Sequence, residues 1–121
     1  MPTILMVDDD AAQLKLLLLM LKHTPYTLLT AQSAAEGLSI VNEQLPDLVI
    51  LDIAMPNVNG LQLLHVLRAD PQFAPLKVII MSAGARHIPP KDAACVYRVL
   101  SKPCPIQHLE ETIRSALGAV V

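Results

Sequence analysis

Residues 3–23 read "TILMVDDDAAQLKLLLLMLKH": an apolar run of strand length, three consecutive carboxylates, then a leucine-rich stretch of helical period. The same succession returns along the chain. "YTLLTA" (26–31) precedes a helical stretch at 33–44, "DLVIL" (47–51) one at 60–69 and "VYRVL" (96–100) one at 105–117, while "KVIIM" (77–81) leads into a proline-broken stretch. Five strands alternating with helical segments predict a parallel sheet with helices on both faces. Pro25, Pro46, Pro71 and Pro75 fall between elements, where a missing N–H costs little.

Strand composition also predicts the order. Strands covered on both faces read as unbroken apolar runs, whereas edge strands tolerate polar residues. The first, third and fourth strands are unbroken; the second carries Thr27 and Thr30 and the fifth Arg98, which places those two at the edges. The expected fold class is therefore α/β: a doubly wound, flavodoxin-like five-stranded parallel sheet of order 2-1-3-4-5.

At 121 residues and 53% apolar content the chain is expected to form one domain, 1–121, with a substantial core, and is not expected to be disordered. A net charge of −2 provides no basic footprint for direct nucleic acid binding or for an anionic membrane. No segment approaches the roughly 20 apolar residues of a membrane span, and charges arrive too early at the N-terminus for a signal-peptide core. The expected location is cytoplasmic. Cys95 and Cys104 have neither disulfide-scaffold nor zinc spacing, and are expected to be small buried hydrophobes.

In the first helix, Leu14, Leu17, Leu18 and Leu21 form a core stripe, which leaves Leu16, Leu19 and Met20 with Ala12 on the opposite, exposed side. Leucine is simply a good helix former; the sharper reading is a partner face or a self-association face, that is, a homodimer. The last helix, "PIQHLEETIRSALG", starts at Pro105 and stripes Ile106, Leu109, Ile113 and Leu117 toward the sheet.

The polar exceptions carry the chemistry. In an open α/β sheet ligands sit beyond the carboxyl ends of the strands, where the strand order reverses. Asp8, Asp9 and Asp10 follow the first strand, Asp52 ends the third, Ser82 the fourth and Lys102 the fifth. Asp8, Asp9 and Asp52 are expected to converge in the crevice between strands one and three, with Ser82 and Lys102 entering from the other side. Grouped carboxylates are unfavourable unless a cation neutralises them, and an open set of oxygens favours Mg²⁺. Lys102 and Ser82 offer a charge and a hydroxyl for further oxygens of a phosphoryl group. Asp10 reads more simply as a helix N-cap. The four histidines lack metal spacing, and the glycines form no nucleotide-binding fingerprint.

With "ILMVDDD", "LDIAMPNVNG", "VIIMSAG" and "LSKPC" each following a predicted strand in this order, the chain resembles, over its whole length, the receiver domain of two-component response regulators. The resemblance implies that Asp52 is the phosphoacceptor. It implies that Asp9, Asp52 and the backbone carbonyl of Ala54 bind Mg²⁺ directly, with Asp8 assisting through water. Lys102 then pairs with the phosphorylated carboxylate region and Ser82 swings toward the phosphoryl oxygen.

The sequence departs from the family at several points. The aromatic residue usual three positions before the lysine is Val99; counting by alternation, Tyr97 and Val99 share a face, so Tyr97 is a partial substitute. Cys104 replaces a Phe that often follows Lys-Pro. In "GARHIPPKDAAC" (84–95), Pro89 and Pro90 exclude a continuous fourth helix and leave at most a turn or two from Pro90 to Ala94, so this helix is shortened or missing. Ala54 and Gly84, at positions that flank the attacking water in the family, have no polar side chain to orient it, and slow self-dephosphorylation is expected.

These readings converge on a phosphoacceptor switch in a two-component phosphorelay. The expected partners are a sensor histidine kinase or phosphotransfer protein and a downstream output protein or domain. The chain is expected to assist its own phosphorylation and dephosphorylation rather than to be an enzyme. The alternative is a receiver-like interaction module that works without phosphorylation. A small aspartate-nucleophile phosphatase shares the chemistry but needs a substrate cap for which the chain has little room.

Overall fold

The computed structural model describes residues 1–53, 60–82 and 88–118. Its elements are β1 (Thr3–Val7), α1 (Ala11–Leu21), β2 (Thr27–Ala31), α2 (Ala34–Gln44), β3 (Leu48–Asp52), α3 (Gly60–Ala69), a 3₁₀ turn (Pro71–Phe73), β4 (Lys77–Ser82), α4 (Pro90–Ala93), β5 (Arg98–Ser101) and α5 (Ile106–Ala116). All strand pairs are parallel, in the order β2-β1-β3-β4-β5. The sheet is the doubly wound one expected, with the polar-containing strands at its edges.

Strand alternation divides the interior into two cores. Leu5, Val7, Val49, Leu51, Val78 and Ile80 pack against α2 and α3 through Val41, Leu63, Leu64 and Leu67. Ile4, Met6, Leu48, Ile50, Ile79 and Met81 pack against α1 and α5 through Leu14, Leu21, Leu109 and Ile113. That is why Ile4–Val7 of β1, Leu48–Leu51 of β3 and Val78–Met81 of β4 are apolar without a break: each of these side chains, up or down, meets a helix. On α1 the outward Leu16 and Leu19 are 49% and 55% exposed, as the helical stripe predicts.

The fourth helix is a single turn. Pro89 and Pro90 open it, and it ends at Ala93. The turn then continues, since Cys95 N–H donates to the Asp92 carbonyl (3.0 Å) and Val96 N–H to that of Ala93 (3.5 Å). β5 consequently begins at Arg98, two residues later than expected. This corrects the alternation argument for Tyr97 and Val99. Val99, inside β5, packs with the α2/α3 core, whereas Tyr97, before the strand starts, packs with the α1/α5 core. The Tyr97 hydroxyl bonds to Ser115 of α5, and its ring is flanked by Arg98 at 5.3 Å and Lys77 at 5.7 Å. The cysteines are also corrected: Cys95 is exposed and Cys104 half-buried, because both lie in connections rather than under helices.

Candidate functional site at the carboxyl ends of β1, β3 and β5

The site follows from register. Val7 pairs with Leu51, which brings Asp8 level with Asp52; Asp52 pairs with Met81, and Ser82 with Ser101, which sets Ser82 and Lys102 just beyond. Alternation sends Asp52 to the same sheet face as Leu48 and Ile50, and Asp8 to that of Ile4 and Met6, the face covered by α1 and α5. Asp8 stays strand-like because its N–H donates to the Ala31 carbonyl at 3.0 Å.

These carboxylates are buried: Asp8 is 3% exposed and Asp52 7%, with Ser82 at 4%. The Lys102 ammonium bonds to Asp52 Oδ2 and lies 3.9 Å from Asp8 Oδ2. Its backbone is fixed there, since Lys102 N–H donates to the Ser82 carbonyl at 2.9 Å. Asp8 Oδ1 accepts from Asp10 N–H at 2.9 Å, and Asp10 in turn caps α1 by accepting from Ala12 N–H at 2.9 Å.

Burial pushes the Asp8 carboxyl up from 3.8 to about 6; the hydrogen bond and charge of Asp52 push the same way, while the Asp10 N–H and the Lys102 charge pull it down. The pair thus crowds negative charge that one ammonium only partly offsets. Two buried oxygen donors of this kind suit a hard cation such as Mg²⁺. Among the described residues no three His, Cys, Asp or Glu side chains form a metal-holding group, so the carboxylates alone do not complete a coordination shell. Water, backbone carbonyls and phosphate oxygens are the usual complement for Mg²⁺.

Asp8, Asp52 and Lys102 are therefore in direct association, and Ser82 stands at the same end of the sheet. Asp9 is half-buried at the next position and Asp10 exposed. Ala54 and Gly84 lie outside the described residues. Gln13 was not anticipated: it lines, with Asp8, Asp52, Lys102, Leu17 and Met81, a recess of about 30 Å³, room for one or two waters. As a polar residue on an otherwise exposed first turn, it carried no sequence signal. Gly60 has a steric role that its place in the motif only hinted at. A Cβ there would stand 2.9 Å from Ile53 Cγ2 and 3.2 Å from the Asp52 carbonyl oxygen, so glycine lets α3 start against the backbone of Asp52.

Among the described residues no helix is long and apolar enough to cross a membrane. Comparison with known proteins identifies the family through a match to the response regulator receiver domain over residues 4–114. The transcriptional regulatory protein GlrR of Escherichia coli is 39% identical over 118 residues, covering 94% of this chain and 26% of that protein, so the chain spans about a quarter of its length. The polar-differentiation response regulator DivK of Brucella ovis is 29% identical over 119 residues, 96% of either chain. Among solved structures, a response regulator receiver domain protein from Clostridium thermocellum superposes with a TM-score of 0.85 at 27% identity, covering 98% of this chain and 96% of that one. The response regulator TrrA from Thermotoga maritima, solved in complex with Mg²⁺-BeF, gives 0.85 at 29% identity, covering 97% and 100%. With the match running from β1 into α5, over the sheet and the helices that carry Asp8, Asp52 and Lys102, the chain belongs to the response regulator receiver domain family.

Proposed function

We propose that the chain is the phosphoacceptor switch of a two-component phosphorelay, phosphorylated on Asp52 by a histidine kinase or phosphotransfer protein in a Mg²⁺-dependent step. The observation that carries this reading is the buried Asp52 carboxylate at the end of β3, bonded to Lys102 and set against Asp8. An Asp52 oxygen forms the bond to phosphorus while the donor's P–N bond, or the P–O bond of a small acyl phosphate, breaks and the leaving group departs with its electron pair. Lys102, already on Asp52 Oδ2, follows charge onto the phosphoryl oxygens, and the Ser82 hydroxyl binds another. Asp9, Asp52 and the backbone of Ala54 would hold Mg²⁺, with Asp8 assisting, and the ion would supply further neutralisation of the transferred group's charge. The Mg²⁺-BeF complex of the related TrrA supports a cation at this site. The chain acts as a cytoplasmic acceptor and signal carrier, not as an enzyme with a substrate of its own, and its output lies in a partner protein or domain.

A phosphorylation-independent interaction module is the second reading. It is favoured by Tyr97, which is engaged with α5, and by the single-turn α4. Incubation with acetyl phosphate and Mg²⁺ followed by intact mass measurement separates the two. A phosphoryl adduct that EDTA or Asp52→Asn abolishes supports the first reading; no adduct in the wild type overturns it in favour of the second.

A further inference from the structure

A lysine ammonium carries three N–H donors, and the bond from Lys102 to Asp52 Oδ2 uses one of them. Asp8 Oδ2 lies 3.9 Å from the same nitrogen, too far for a direct hydrogen bond and a span that one bridging water covers. Room for that water exists beside the two carboxylates, in the recess of about 30 Å³. A buried water settles only where it finds several polar partners. Asp8, Asp52 and Lys102 supply charged ones, whereas Leu17 and Met81 supply none. Gln13 is the neutral polar residue of this wall, and a glutamine amide both donates and accepts. Among the described residues its side chain has no hydrogen-bond partner.

Gln13 also stands where the recess meets a wider space. With Leu17, Met81 and Lys102 it lines the neighbouring groove of about 510 Å³, so it belongs to the wall that the two spaces share. Lysine is a strongly hydrated charge on a flexible stem, and without a polar group in that wall its remaining donors turn to the water of the groove.

We propose that Gln13 is a positioning residue for Lys102: with Asp8 it holds a water in the recess, and that water accepts the ammonium's second N–H and keeps the first on Asp52 Oδ2. The water's own hydrogens go to Asp8 Oδ2 and to the Gln13 side-chain oxygen, so each of its bonds has a partner. The hold belongs to the resting chain. Its use, which is to aim Lys102 at the charge that builds on the phosphoryl oxygens, rests on the proposed phosphorylation of Asp52.

Exchange of the Lys102 ammonium hydrogens with solvent reads the hold directly. It is measured by ¹⁵N NMR on the full chain in EDTA with no phosphoryl donor, the signal being assigned by its loss in Lys102→Arg. Wild type is compared with Gln13→Met, which keeps length and helix preference but loses the amide, and with Gln13→Glu, which keeps an acceptor oxygen at the same reach. Gln13 is exposed, so both variants keep the fold. The wild-type ammonium exchanges slowly enough to be seen, Gln13→Met speeds its exchange severalfold, and Gln13→Glu stays close to wild type. With acetyl phosphate and saturating Mg²⁺, adduct formation at Asp52 slows severalfold in Gln13→Met and not in Gln13→Glu. A wild-type ammonium too labile to observe, equal exchange in wild type and Gln13→Met, or an effect of Gln13→Glu as large as that of Gln13→Met overturns the proposal. So does an unchanged adduct rate in Gln13→Met once its ammonium is freed. Failure of the wild type to form any adduct overturns the proposed function instead, and the hold on Lys102 then stands or falls by the exchange comparison alone.

Discussion

Replacing Asp8 by asparagine should change how stability depends on pH, and the size of the change follows from the site. The folded carboxyl holds its proton up to about pH 6, against an ordinary value of 3.8, because it is buried beside Asp52. A raised folded pKa means that the folded state binds the proton more tightly than the unfolded chain does. The resulting stability is fully present below the unfolded value and is lost as pH rises through the folded one. At about pH 5, roughly one unit below the folded value, this contribution is on the order of 1 kcal/mol, and by about pH 7.5 it is gone. For a domain of this size 1 kcal/mol corresponds to about 4 °C in Tm, so the wild type in EDTA should lose roughly 4 °C relative to Asp8→Asn between those two pH values. Asparagine keeps the shape and removes the charge, so it cancels the pH dependence of this one group. Mg²⁺ should raise the wild-type Tm more at the higher pH than at the lower, and should do less for Asp8→Asn. Thermal melts followed by circular dichroism measure all of this. Parallel Tm-versus-pH curves for the two proteins would refute the reasoning, as would a wild type that gains on the variant as pH rises.

Gly60→Ala puts a methyl 3.2 Å from a backbone oxygen that cannot rotate away, unlike the Ile53 methyl at 2.9 Å. It should cost about 1–3 kcal/mol in stability and slow adduct formation at Asp52, read by melts and by timed mass measurement; wild-type values for both would contradict the close contact. The exposed Leu16 borders a groove of about 510 Å³ that also touches Met20, Pro103 and Cys104, and Leu19 is exposed on the same helix. Leu16→Lys with Leu19→Glu should leave stability within about 0.5 kcal/mol per substitution and should abolish self-association in sedimentation; a wild type that is monomeric at every concentration removes the homodimer.

The fold was legible because the inner residues of β1, β3 and β4 each meet a helix on one side or the other, a condition written into the chain as "ILMV", "LVIL" and "VIIM". The edge strands betrayed themselves through Thr27, Thr30 and Arg98, and the one-turn α4 through Pro89 and Pro90. The position of the site was legible too, since a carboxylate closing an apolar strand, as at Asp52, is costly unless something offsets its charge.

What local pattern could not decide was which long-range neighbours each polar group would meet. Asp8 became the carboxylate against Asp52 because a register between strands more than forty residues apart set them level and the same face of the sheet buried both. Tyr97 went to the α5 side because the turn after α4 persists to Val96 and delays β5, a delay that period counting cannot see. His65 with Asp92, and Arg68 with Cys95, are each pairs 27 residues apart, made only once α3 and α4 are docked. Periodicity and composition act over a few neighbouring residues and so determine elements and faces; pairings across the fold depend on how those elements pack, and only the tertiary structure decided them.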